Sequence, residues 1–257
     1  MANFKTHITT SSLLGIGYGG VAYGVYNVPL PTCILAGGLC GVSGMLPDVD
    51  SDSGVPLRES IAFAAAVVPM MLIGRFEQLG MSSESIILAG ALVYLFIRFV
   101  LSALLKKYTV HRGMFHSIPA AIIFGEAAFL LASGPDLSIR LYKAGAVVLG
   151  YVSHLLLDEL YSLEWYHGRL RLKRSFGSAF KVFGRSWLGN GSTYLKLGLL
   201  TFLVVNEPMW MQDHLEQQRH QRAEQRASEQ DNPQANPLPV EIPHAEALLE
   251  DAKKFFR

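Results

Sequence analysis

Ser85–Leu105 reads SIILAGALVYLFIRFVLSALL, a run of 21 residues with a single charge, Arg98. A helix needs about 20 mostly apolar residues to cross the hydrocarbon core of a bilayer. This stretch meets that requirement and is read as a transmembrane helix. Working outward, Ile61–Ile73 with its flanks, Leu30–Leu46 and the glycine-rich Leu13–Val28 precede it, while Ile118–Ala132 and Leu141–Leu157 follow. The expected fold class is all-α: a polytopic transmembrane bundle of about six helices. A seventh apolar piece, Leu195–Val205, is short for a full crossing and reads as a tilted span or a re-entrant segment.

Composition agrees with this. Half of the 257 residues are hydrophobic and only 17% are charged, too apolar for an ordinary soluble domain. A formal net charge of +1 lacks the Lys and Arg excess of a phosphate-tracking surface, so nucleic acid is not an expected partner. Lys5 and His7 precede the first apolar stretch without an evident small-residue cleavage site, so that span is expected to be retained. Cys33 and Cys40, seven apart in one helix, are too distant for a disulfide and read as packing residues. The pairs Gly15/Gly19, Gly20/Gly24 and Gly37/Gly41 have the spacing that lets membrane helices approach closely.

Lys and Arg are enriched in cytoplasmic connections. Alternating six-span topology places Lys5, Arg58, Lys106, Lys107 and Arg112 on one side, together with the basic segment Gly168–Arg185. That side is expected to be cytoplasmic. Arg75, Arg140 and Lys143 fall on the other side as exceptions. Residues 1–165 are thus read as a membrane-embedded domain and 166–211 as a basic cytoplasmic segment with a short apolar helix. Residues 212–257 read as a flexible polar tail, with Ala245–Arg257 as a terminal amphipathic helix or an inert end.

Four motifs stand out against the apolar background, and the topology puts all four on the cytoplasmic side: Thr6-His7, Pro47-Asp48-Val49-Asp50, His111-Arg112-Gly113-Met114-Phe115-His116-Ser117, and Ser153-His154 with Asp158. His154 and Asp158 share one helix face about 6 Å apart, close enough to bind one cation. They lie near the far end of their span, where ionisable groups are costly unless paired or lining a polar cavity. Asp48 and Asp50 flank one residue after a proline, which suits two carboxylates reaching one region or a solvated turn. His116 and His111, five apart, need a loop or a helix start to converge; His116 is the better ligand, Ser117 a reasonable N-cap for the helix that follows. His7 has no partner at helical spacing, so only its side of the membrane links it to the others. Arg112, fork-shaped and always charged, suits an anionic substrate oxygen or a membrane anchor. A mixed shell of carboxylates and imidazoles fits Zn or Mn best. A buried interhelical pair would satisfy Arg98 and Glu126, both charged within spans, or Arg98 reaches toward the interface with its long stem; a structural role is expected for both.

In this order the motifs resemble the YdjM-like family of bacterial membrane-bound metal-dependent hydrolases, some members of which are LexA-regulated. The resemblance covers about residues 1–165. It implies an inner-membrane protein with His7, Asp48, Asp50, His116, His154 and Asp158 at a metal site. The His-Asp pair also looks like helix-borne ligands in zinc-dependent phospholipases, which suggests a phosphoester of a lipid or lipid-linked molecule as substrate and membrane lipid as partner. The expected mechanism is metal-activated water, with Arg112 stabilising developing charge and Asp50 or Asp158 as base. Two other readings stay open: an ion- or proton-coupled transporter, whose essential charges would lie at mid-membrane depth and on both sides, and a non-catalytic scaffold with a structural metal.

Overall fold

The computed structural model describes residues 3–50, 54–108, 114–134, 136–166, 169–172, 180–184, 186–207 and 224, with backbone alone at 50, 106–108, 163–166 and 169–172. The chain divides into two units after Glu207, and the elements below belong to the first.

Helix α1 (Phe4–Tyr26) starts nine residues before the apolar run, because the Asn3 side chain caps it by accepting from the Thr6 N–H at 2.8 Å. Its buried stripe is His7, Ser11, Gly15, Gly19 and Ala22, one residue per turn and almost all small. Helix α2 (Leu30–Ser43) packs into that stripe. A Cβ at Gly15 would overlap the Gly37 carbonyl, and one at Gly19 would sit 2.9 Å from the Cys33 oxygen. The close approach lets the Ser11 hydroxyl donate to the Gly41 carbonyl at 2.7 Å. Gly15/Gly19 and Gly37/Gly41 thus form the seam their spacing suggests; Gly20 and Gly24 meet nothing within 4 Å among the described residues. Cys33 and Cys40 are buried and unpaired.

A 3-10 turn (Leu46–Asp50) leads to α3 (Val55–Gln78). Helix α4 (Ser83–Leu95), a π-helical stretch (Phe96–Leu101) and α5 (Ser102–Tyr108) follow as one continuous rod. Helices α6 (Ile118–Leu131) and α7 (Leu137–Leu160) pack on each other, and α7 also lies against α1 and α2. Beyond α7, β1 (Leu163–Tyr166) and β2 (Arg169–Leu172) form a small antiparallel hairpin with Leu163 opposite Leu172. The last helix, α8 (Trp187–Glu207), completes seven helical rods among the described residues, so the fold is all-α apart from the hairpin.

Three rods are long and apolar enough to cross a membrane: Val55–Gln78, Ser83–Leu105 and Trp187–Glu207. The last is longer than the sequence expectation of Leu195–Val205. Gly189, Asn190 and Gly191 dilute the apolar signal upstream, yet the Ser186 hydroxyl accepts from the Gly189 N–H at 3.2 Å and starts the helix there.

Helices α3, α7 and α8 meet at the end of the bundle where α3 and α8 finish and α7 begins. There Glu207 takes Arg75 on one carboxylate oxygen at 2.8 Å and Arg140 on the other at 2.7 Å. Arg140 also donates to the Phe129 carbonyl at 3.2 Å and lies over the Phe129 ring. This clasp accounts for two of the three basic residues that break the charge asymmetry: Arg75 and Arg140 share the Glu207 carboxylate within the fold. Of the two alternatives for Arg98 and Glu126, the interhelical pair does not form. Helix α4 packs on α3 while α6 packs on α7, so Glu126 accepts instead from the Thr201 hydroxyl of α8 at 2.6 Å, and Arg98 is exposed.

Losing one member of a buried ion pair strands its partner, at a cost of about 3–5 kcal/mol. Glu207→Gln leaves two guanidiniums uncompensated and should lower the thermal unfolding midpoint of the detergent-solubilised protein; an unchanged midpoint would show that the clasp contributes nothing.

Candidate metal centre

The buried stripe of α7 includes Ala144, Val147, Tyr151, His154 and Asp158, alternating three and four residues as a core-facing helix requires. That periodicity carries His154 and Asp158 into the bundle, with His154 wholly buried and Asp158 6% exposed. On α1, the small-residue stripe begins at His7, 2% exposed. Its ring stacks on His154 with centroids 3.6 Å apart.

Two connections complete the cluster. After α2, Gly44 and Met45 turn the chain into Leu46–Asp50, with Pro47 buried. The Asp48 N–H donates to the Met45 carbonyl at 3.1 Å. Before α6, Ser117 caps the helix as its position suggested, accepting from the Ala120 N–H at 3.3 Å and donating to the Met114 carbonyl at 2.5 Å. Tyr151 donates to the Phe115 carbonyl, fixing the residue beside His116.

The result is five side chains from four segments. His7 Nε2 is 3.3 Å from Asp158 Oδ1, and His116 Nε2 is 3.3 Å from Asp48 Oδ1. Asp158 Oδ2 lies 3.6 Å from His154 Nε2 and 3.8 Å from His116 Nε2, and Asp48 Oδ1 lies 3.7 Å from His154 Nε2. Two overlapping groups thus have metal-ligand types and proximity: His7, His154 and Asp158, and Asp48, His116 and His154.

Whether a cation suits this set can be tested on the donors. His154 Nδ1 is 2.7 Å from the Gly44 carbonyl; a carbonyl only accepts, so Nδ1 carries the proton and the Nε2 lone pair faces the cluster. That Nε2, like His116 Nε2, is buried without a hydrogen-bond partner, a costly state in the absence of a Lewis acid. Donors about 2.0–2.2 Å from a tetrahedral ion stand about 3.3–3.6 Å from one another, close to the separations found here. A ligating histidine whose other nitrogen donates to a backbone carbonyl is the usual second-shell arrangement. The residues fit a divalent cation.

Asp48 sits at the open edge, its side chain a quarter exposed. Burial pushes its carboxyl up, but His116, His154 and His7 beside it outweigh that and hold it below the ordinary carboxylate value.

Of the residues singled out in the sequence, His7, Asp48, His116, His154 and Asp158 come together. Asp50 ends the 3-10 turn, but its side chain lies outside the described residues, as do His111 and Arg112. His7 departs from the reading of a residue ahead of the first span: it lies within α1, because Asn3 starts that helix. Gly44 and Tyr151 were not foreseen. Tyr151 carried a signal, standing three residues before His154 on the same face of α7; the Gly44 carbonyl carried none.

A family model described as YdjM inner membrane protein matches residues 1–168 of the chain. No curated protein and no solved structure matches it.

Because the Asp48 carboxyl is depressed in the folded state, it stabilises the fold above its unfolded value of about 3.9, and that contribution is lost as pH falls through the lower, folded value. Metal-free wild type should therefore lose stability below about pH 4. Asp48→Asn should show a shallower decline over the same window in thermal unfolding measured against pH; equal slopes would remove Asp48 from the acid response.

Proposed function

The chain belongs to the YdjM inner membrane protein family, and from that premise we propose that it is a metal-dependent hydrolase acting on a phosphoester of a lipid or lipid-linked molecule. The observation that carries this reading is the buried His154 imidazole, held by Gly44 in the tautomer that aims its lone pair at two carboxylates and two further imidazoles. His154 has one free lone pair, so the two overlapping donor groups cannot each hold an ion through it; one cation drawing on both is the simpler arrangement. The donor set suits zinc or manganese.

When bound, such a cation supplies Lewis acidity and draws the pKa of a water towards about 7. The chain's own residues do the rest. Asp158, buried among the histidines, holds charge balance and ligand geometry. Asp48, at the open edge, faces the direction from which water and substrate arrive, where it orients the reacting water and holds its proton. Asp50 is the further candidate base, and Arg112 the candidate partner for the negative charge that grows on the phosphoryl oxygens; both roles come from the sequence motifs.

A transporter needs a polar route between the two ends of the bundle. Between Arg140 in the clasp and His154 in the cluster, the buried residues of α7 are Ala144, Ala146, Val147, Gly150, Tyr151 and Ser153, with both hydroxyls donating to backbone carbonyls, which favours an enzyme over a conduit. A structural metal in a scaffold differs from the enzyme in one respect: it leaves no position for a labile water.

The basic connections favour the cluster end as the cytoplasmic end of a multi-pass protein. The loop after α3 would then be periplasmic, and the segment before α8 cytoplasmic.

Two experiments test these assignments. Purified wild type should carry zinc or manganese by elemental analysis, and His154→Ala and Asp158→Ala should lose most of it, with hydrolysis of phosphoester substrates falling in parallel; equal metal in all three proteins sinks the proposal. For orientation, Met81→Cys should react with a membrane-impermeant maleimide in spheroplasts and Phe183→Cys only after permeabilisation, the native cysteines being buried; the reverse pattern inverts the topology.

A further inference from the structure

Arg98 is a fixed charge in the apolar rod Ser83–Leu105, and no role in the metal chemistry falls to it. It has no ion pair or hydrogen bond among the described residues. At about 1.5 Å per residue it lies roughly 10 Å from Leu105, within reach of the interface for a long side chain but expensive if left in hydrocarbon.

The surroundings of Arg98 say what it meets. Between the first turn of α3 and the π-helical stretch lies a cavity of about 590 Å³. Leu57 and Ile61 form its floor, and Arg58, Arg98 and Ser102 are its polar lining. Helix α3 begins there at Gly54, with no side chain capping its N–H groups among the described residues, so the positive end of that helix also faces the cavity. Among the described residues one carboxylate is close: Glu59 binds the Arg58 guanidinium at 2.8 Å, and Arg98 adds a second positive charge to the lining. Leading up to it, Leu88, Leu92, Leu95 and Phe99 form an exposed apolar line along one face of the rod. The cavity also shares a wall with the metal turn, because Val49 packs on Leu57, Ile61 and Ile97.

We propose that this cavity binds the headgroup of an anionic phospholipid, its phosphate between Arg58 and Arg98 and its acyl chains along the Leu88–Phe99 line. A pocket for a free phosphate would need only the cationic end; the continuous apolar track running from it selects a lipid. The site stands independently of the hydrolase reading, since none of its residues belongs to the metal cluster.

The test is a titration of the full-length detergent-solubilised protein with short-chain phosphatidylglycerol, phosphatidylcholine or inorganic phosphate, followed by the thermal unfolding midpoint. Phosphatidylglycerol should raise the midpoint and the other two should not. Arg98→Gln and Arg58→Gln should each weaken the apparent affinity about fivefold, the worth of one basic residue at an anionic surface. Lys196→Gln, on the exposed face of α8, should leave it unchanged. An unaltered affinity in Arg98→Gln, an equal loss in Lys196→Gln, or a matching response to inorganic phosphate would each overturn the proposal. Both arginine variants are exposed substitutions, and an unshifted midpoint without added lipid confirms that they fold.

Discussion

The hydrogen bond between His154 and the Gly44 carbonyl is the contact on which the candidate centre depends. It joins the seventh helix to the end of the second, fixes which nitrogen carries the proton, and leaves the other pointing into a cluster of buried charge. Without it the ring could turn, and the stacking of His7, the approach of Asp158 and the placement of Asp48 would lose their common reference. Buried imidazoles and carboxylates in a low-dielectric setting are tolerated only when they satisfy one another or share an ion. Here the separations suit a shared ion, and the Nε2 atoms of His116 and His154 have no hydrogen-bond partner.

The close seam between α1 and α2 serves the same end. Small residues along α1 bring the two backbones together until Ser11 bonds Gly41 across the interface, and this delivers His7 to the level of Gly44. The α7 stripe then packs against both helices, so the cluster is assembled by the packing of α1, α2 and α7 while its ligands come from four separate segments. At the opposite end, the Arg75–Glu207–Arg140 clasp ties α8 to α3 and α7. The bundle thus gathers its metal-ligand cluster at one end and its clasp at the other, and the buried residues of α7 between them are small or apolar apart from Tyr151 and Ser153, whose hydroxyls donate to backbone carbonyls. This distribution is what a protein in a bilayer requires, because charges are least costly near the interfaces and when paired.

Much of this could be read from the chain. The apolar runs gave the helices, with starts misplaced by eight or nine residues where a polar cap such as Asn3 or Ser186 preceded the apolar stretch. The spacing of His154 and Asp158 gave the central pair, and the order of motifs gave the family. The role of His7 was less visible because its helix was taken to start too late; extending the Gly19, Gly15, Ser11 spacing back by one more turn leads to it. The Arg98–Glu126 pairing failed for the opposite reason: two charges of opposite sign in apolar helices say nothing about whether those helices are neighbours.

The amino-acid sequence by itself determined the helical class, the membrane setting and the residue types able to hold a cation, since each follows from local periodicity and composition. Only the tertiary structure decided which donors meet, which nitrogen of His154 faces inward and which acid bridges Arg75 and Arg140. Those outcomes depend on contacts between residues as much as 151 positions apart, as His7 and Asp158 are, and on backbone carbonyls such as that of Gly44, which every residue possesses and no side-chain pattern can single out.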